Sequence, residues 1–318
     1  MTATFTTTGA PLVDVRTVSL LPAATEIVYA LGLEPVGVSH ECDYPPAAVD
    51  KPAITRSRVE SDGSSETINE QVAQATESGG VYEIDRAALR AADPDLIVTQ
   101  GICDVCAVDS VLVTDAVRAL GLDAEVLTID PHTLGDVIGD IRRIGDAVEA
   151  PDAAAALLQD IETRLEAVQR HIDTVASRPE VVVLDWMQPP MVAGHWIPEL
   201  IDLAGGVSAI TAPGDRSVPH DWSTVLDADP AVLIVAPCGF TPEQTRDNLR
   251  DLVDLEGWAT LTAVETGRAY VVDGHHHVNR PGPRLVETLE LFAGLLHPAL
   301  PNPPETVAHP IQLVEVDR

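Results

Sequence analysis

Short β-branched runs alternate with amphipathic stretches along the whole chain. TVSLLP, PVGVS, DLIVTQ and AEVLTID come first, and EVVVLDW, PMVAGHW, AVLIVAP and AYVVDG follow after a long interval. Apolar runs this short predict buried strands, and their alternation with helical patterns predicts mainly parallel sheets covered by helices, an α/β fold. ATEIVYALG places Ala24, Ile27, Val28 and Leu31 on one helical face and stops at Gly32. RLVETLELFAGLLHP does the same near the end of the chain.

The interval between the two sets is PDAAAALLQDIETRLEAVQRHIDTVAS, opened by Pro151, a residue suited to a first helical turn. Leu158, Ile161, Leu165, Val168, Ile172 and Val175 step by three and four, so one stripe is apolar and the rest charged. A helix of about 25 residues spans roughly 37 Å, enough to brace two lobes. The predicted organisation is an N-terminal tail 1–14, an α/β lobe 15–150, a bridging helix 151–177, a second α/β lobe 178–298 and a C-terminal tail 299–318. Both tails read as poorly ordered. SRVESDGSSETINEQ reads as a polar loop, with QVAQAT able to begin a helix.

Composition narrows the function classes. The 318 residues carry a formal charge of -31, spread along the chain, and Lys51 is the single lysine. Such a surface repels nucleic acid and anionic lipid, and it suggests a salt-adapted, halophilic setting. No apolar run is long enough to span a membrane. MTATFTTTGAPLVD has no basic region, apolar core or lipobox-like cysteine, so a cytoplasmic protein is expected, or an extracytoplasmic one if the true start lies upstream. Four cysteines are too few for a disulfide framework.

In open parallel α/β sheets, ligands bind outside the carboxyl ends of the strands. The unusual residues fall there: His40, Cys42 and Tyr44 after PVGVS, Cys103 and Cys106 after DLIVTQ, and Trp186 after EVVVLD. His195 and Trp196 follow MVAG, Cys238 and Phe240 follow AVLIVAP, and His275, His276 and His277 follow AYVVDG. The Cys103-x-x-Cys106 pair is half of a zinc or Fe-S site that His40, Cys42 and Cys238 would complete; equally it is a redox pair, or thiols lining a pocket. HEC lacks the i, i+4 histidine pair of a HExxH metallopeptidase. The three histidines are either a solvated loop or imidazoles offered to a metal or metal-centred cofactor. Trp186 and Trp196 are either core or stacking surfaces for a large ligand. Glu26 reads as a first-turn carboxylate favoured by the helix dipole.

VRTVSLLPAATEIVYALGLEPVGVSHECDYPP, DPDLIVTQ, the bridging helix, DADPAVLIVAPCGF and NRPGPRLVETLELFAGLLHP resemble the cobalamin and iron-siderophore substrate-binding protein family over residues 15 to 298. The resemblance implies two α/β lobes joined by one long helix, the class III substrate-binding architecture, with a metal chelate held between them and no enzymatic activity. DYPP resembles the cobalamin-binding branch. It implies a corrinoid contacted by Tyr44, Trp186, Trp196 and Phe240, with His195 or one of His275 to His277 toward the cobalt, and Arg280 and Arg284 on peripheral amides. An iron-siderophore or haem subunit of an ABC importer is the alternative, since Arg56, Arg58, Arg280 and Arg284 suit anionic chelates. A third is a cytoplasmic metal or Fe-S protein of cofactor processing, acting through Cys42, Cys103 and Cys106. Importer subunits dock on their permease through a glutamate on each lobe. Ala87 and Ser223 stand at those positions, with Asp85 and Asp221 close by, so permease docking is weakly supported.

Overall fold

A computed structural model describes residues 15–61, 63–78, 80–101 and 110–298, together with a strand at 308–310. The first half contributes β1 (Thr17–Ser19), β2 (Gly37–Val38), β3 (Thr55–Ser57), β4 (Tyr82–Ile84), β5 (Leu96–Gln100) and β6 (Glu125–Ile129). β2-β1-β5-β6 form a parallel sheet, and β3 pairs antiparallel with β4. The second half contributes β7 (Glu180–Trp186), β8 (Met191–Val192), β9 (Val207–Ser208), β10 (Val218–Pro219), β11 (Val232–Val235), β12 (Ala269–Val272) and β13 (Ala308–Pro310). Their sheet runs β10-β8-β7-β11-β12-β13, with β9 also on β7. Its centre is parallel, while β8, β10 and β13 pair antiparallel.

The strands read as near-continuous apolar runs because both faces are covered. Val181 and Val183 enter one core and Val182 and Leu184 the other, and the same alternation splits Leu96 and Val98 from Ile97. The bridging helix is Pro151–Ile172, about 33 Å long at 1.5 Å per residue. Ala154 and Ile161 join the core of the first lobe, Val168 and Ile172 that of the second, and Leu165 packs against both. One apolar stripe thus serves two cores. Arg164 forks onto Glu290 at 3.0 and 2.7 Å, tying the helix to Leu285–Leu296.

Three local expectations change. The helix ends at Ile172 with Asp173 as its cap, so Val175 packs on the second core from outside the helix. Part of the C-terminal tail is structured, since β13 adds an edge strand to β12. The polar SSETINEQ stretch is not a loop: Ser64 Oγ accepts from the Thr67 amide and starts the helix Ser65–Glu77. Its Ile68, isolated among polar neighbours, is buried in a core of the second lobe. Burying such a side chain contributes about 1.5–3 kcal/mol, which outweighs the polar character of its surroundings.

Candidate functional site

Carboxylates of the first lobe face a cationic edge of the second at the carboxyl ends of their strands. Glu26 lies in the helix Pro22–Ala30 that follows β1, and Asp43 in the loop that follows β2. Opposite them, the chain leaves β12 through one wide helical turn, Gly274–Val278, and reaches Arg280 and Arg284 before the helix Leu285–Leu296.

That turn is built, not merely tolerated. Asp273 Oδ1 accepts from the His276 amide at 2.7 Å, and Asn279 Nδ2 donates to the carbonyls of Ala236 at 2.9 Å and Gly274 at 3.1 Å. Thr288 Oγ1 donates to the His277 carbonyl at 3.0 Å, and Trp196 Nε1 to that of Val278 at 3.1 Å. A Cβ on Gly274 would run into the carbonyl oxygen of Pro237, so only glycine lets β12 end against the β11 loop. The three histidines are therefore held in place rather than solvated.

Glu26 is 4% exposed and accepts three hydrogen bonds from the other lobe. Arg284 grips it through Nε to Oε2 at 2.8 Å and Nη2 to Oε1 at 2.5 Å, and Arg280 Nη1 reaches Oε1 at 3.2 Å. Glu26 is thus an ion-pair partner between lobes, not a first-turn dipole residue. Arg280 Nη1 also lies 2.8 Å from Asp43 Oδ1. On the other Asp43 oxygen, His275 Nε2 approaches to 2.6 Å and His276 Nε2 to 3.1 Å. His276 Nδ1 lies 3.0 Å from Asp273 Oδ2. Arg284 also lies over the Tyr44 ring, 4.0 Å from its centroid, a cation–π contact at the half-exposed rim.

Burial alone would raise the Asp43 carboxyl, but hydrogen bonds from His275, His276 and Arg280 outweigh it and hold the group far below the usual carboxylate range. The bond to Asp273, then that to Asp43, pushes His276 up to about 9. Burial lowers His277; it pulls Arg284 down as well, but the Glu26 hydrogen bonds and the charges of Glu26 and Glu287 together raise it. The seam is a network in which two carboxylates of one lobe are answered by two arginines and two imidazoles of the other.

Other predicted residues lie elsewhere. Phe240 is buried in a core of the second lobe, edge-on to Trp186 at 5.3 Å, and Trp186 Nε1 donates to the Gln188 carbonyl. Trp196 is buried in the other core. Phe240 and Trp196 are packing residues here rather than ligand surfaces: Phe240 folds back from the loop after β11 and Trp196 caps the helix Ile197–Leu203, and both are buried. His195, at φ 53°, sits at another contact between lobes, its ring 5.3 Å from that of His132, where Glu199 also accepts from the Leu134 amide at 2.6 Å.

The thiol-centred metal site does not assemble among the described residues. Burial pushes the Cys42 thiol up to about 12 while Thr25 Oγ1 holds it at 3.0 Å, and a neutral thiol is a poor ligand. His40 spends Nδ1 on Thr55 Oγ1 at 2.7 Å and Nε2 on Glu41 at 3.1 Å. Cys238 is a free, half-buried thiol that forms no ligand group with them. Cys103 and Cys106 lie outside the described residues. The potential metal ligands that do converge are Asp43, His275 and His276.

Sequence reasoning passed over Asp43 and Asp273. A signal existed for both: Asp43 lies inside the SHECDYPP edge, and Asp273 directly precedes the histidine turn, where an aspartate caps a helical start.

The chain is similar to known binding proteins along most of its length. It is 26% identical over 293 residues to an uncharacterized ABC transporter substrate-binding lipoprotein, YvrC, of Bacillus subtilis, covering 89% of this chain and 80% of that one. It is 25% identical over 284 residues to the vitamin B12-binding protein of Vibrio cholerae serotype O1, covering 86% of each. A periplasmic heme binding protein from Pseudomonas aeruginosa shares the fold with a TM-score of 0.69 at 19% identity, over 93% of this chain and 97% of that one. The lipoprotein relative and the periplasmic binding protein family model overturn the cytoplasmic expectation. The two lobes, their parallel sheets and the single bridging helix are the class III binding-protein architecture. The family described as periplasmic binding protein matches residues 18–275, and the chain belongs to that family.

Proposed function

We propose that the chain is the substrate-binding subunit of an ABC importer, working outside the cytoplasm, and that it holds cobalamin or another corrinoid between its lobes without enzymatic activity. The observation that carries this reading is the seam itself. Two separate sheets, linked by the helix Pro151–Ile172, meet at their strand carboxyl ends through side chains and, among the described residues, share no strand. Such lobes can part and reclose about the helix, which is how a large ligand enters and is retained. Depressions of about 250 and 210 Å³ lie away from the seam, by Gln169 and Arg178 and by Arg58 and Tyr82, and are smaller than the usual ligand cleft of about 300–1,000 Å³. A corrinoid therefore enters by separating Glu26 and Asp43 from their partners. Arg280 and Arg284, once freed, face its peripheral amides, Tyr44 supplies an aromatic rim, and His275 or His276 the metal face. The 25% identity to a vitamin B12-binding protein supports the corrinoid.

Haem is a second reading, favoured by the paired imidazoles His275 and His276, which suit iron as well as cobalt. Titration of the protein with cobalamin, cobinamide, haem and a ferric hydroxamate, at high salt and followed by tryptophan fluorescence, separates them. Saturation by the corrinoids is expected. Cobalamin that leaves both fluorescence and the thermal midpoint unchanged at micromolar concentration rejects the reading.

A further inference from the structure

We propose that Asp43, His275 and His276 form a site for one divalent transition-metal ion, with ligands from both lobes, so that the ion latches the lobes together.

The inference begins with convergence. His275 Nε2 and His276 Nε2 stand 2.6 and 3.1 Å from the same Asp43 oxygen, and all three atoms lie within 4.8 Å of one another. With metal–ligand bonds of about 2.0–2.1 Å, neighbouring ligands of a tetrahedral ion are roughly 3.3 Å apart. Shifts of about 0.7 Å or less in the two contacts to Asp43 would admit the ion.

A conflict in the metal-free arrangement points the same way. His275 Nε2 is 3.0 Å from Arg280 Nη2, which can only donate, and 2.6 Å from Asp43 Oδ2, which as a carboxylate can only accept. One ring nitrogen cannot serve both: protonated, it repels the arginine; unprotonated, it repels the carboxylate. An ion between Nε2 and Oδ2 turns both lone pairs to use. Arg280 keeps Glu26 and the other Asp43 oxygen at 3.2 and 2.8 Å.

His276 is independently set up as a ligand. Its Nδ1 lies 3.0 Å from Asp273 Oδ2, so Nδ1 keeps its proton on that carboxylate when an ion takes the place of the proton that Nε2 shares with Asp43. A carboxylate behind a ligating imidazole is the usual support of a metal-bound histidine. Two imidazoles and a carboxylate suit zinc, cobalt or nickel over magnesium or calcium. The formal charge of -31 further concentrates cations at the surface. Asp43 is 232 residues from His275 in sequence and on the opposite lobe. The full ligand set therefore exists only when the lobes meet, and an ion that binds it draws the population toward the closed form. Because a chelate would have to part these same residues, ion and chelate are alternative occupants of the seam, and the ion site does not depend on which chelate the protein takes.

The test uses the full chain, stripped with chelator and kept at high salt. Calorimetry with zinc chloride should give one ion per chain, and cobalt(II) chloride should give ligand-field bands without thiolate charge-transfer bands. His276→Gln and Asp43→Asn should each weaken zinc binding at least tenfold in protein that circular dichroism shows to be folded; should one variant fail to fold, the other serves. Asp273→Asn, a positioning change, should weaken it by about 10–100-fold while leaving the stoichiometry at one. Zinc should slow amide exchange in 40–45 and 274–279 together. Absence of saturable binding, thiolate bands, unchanged affinity in folded variants, or protection of one lobe's segment alone would each overturn the proposal.

Discussion

Two of the seams through which the lobes touch are of opposite character. At one, Glu26 and Asp43 meet Arg280, Arg284, His275 and His276 in an ionic network. At the other, Val59, Ile68 and Val72 of the first lobe pack into the core beneath Trp186 and Phe240 of the second. Short-range hydrogen bonds edge it: Ser65 Oγ donates to the Asp251 carboxylate, and the Ser65 amide to Asn248 Oδ1 at 3.2 Å. The apolar seam is held by area removed from water, which varies little with pH. The ionic seam depends on balance. Desolvating its charges costs about what their attraction returns, so it adds little net stability, yet losing one partner leaves buried charge uncompensated. Such a seam suits a cleft that must open: water and ligand groups can replace each partner as the lobes part, whereas the apolar seam has no substitute and favours reclosure.

The largest effect expected is from Glu26→Ala, which strands two arginines. It should cost about 3–5 kcal/mol in denaturant unfolding, and a loss below about 1 kcal/mol would mean that the ionic seam is open in solution. Ile68→Ala tests the apolar seam and should cost about 2–3 kcal/mol, the low end for such truncations because part of the site lies at a lobe boundary. The seams should also part company with sulfate: the salt screens the ionic seam and strengthens the apolar one, so the penalty of Glu26→Ala should shrink and that of Ile68→Ala should not.

The pH response comes next. His276 is raised to about 9 in the closed, metal-free state, so its share of closure is complete below about 6.5 and lost as pH rises through 9. Asp43 is lowered, so its share is complete above about 4 and lost on acidification. Fluorescence energy transfer between labelled lobes should show maximal closure between those limits in the wild type, and in His276→Gln the alkaline limb should vanish. The smallest effect is Tyr44→Ala, which removes one half-exposed cation–π contact and should cost about 0.5–1 kcal/mol, read as a small shift in the urea midpoint.

Residues differ in how far they announce these roles. Leu158, Ile161 and Leu165 declare a helix face in a dozen residues of sequence, and their division between two cores follows from helix length. His275, His276 and His277 stand out by type and by position after β12, but residue type alone does not tell whether an imidazole meets solvent, a carboxylate or a metal. Ile68 and Asp43 announce less. A lone isoleucine in a polar stretch has no period to identify its face, and an aspartate near a turn is common; what distinguishes both is a partner on the other lobe.

The sequence by itself determined the elements, their order and the bridge between two sheets, because each is encoded by local periodicity, with every strand or helix burying its own face a few residues at a time. The tertiary structure alone decided that Glu26 answers Arg280 and Arg284, 254 and 258 residues away, and that Asp43 shares one oxygen with two histidines. Those pairings have no period. They exist because the meeting of the lobes brings the charges together and buries Glu26, Arg280 and Arg284 too deeply to be left unpaired.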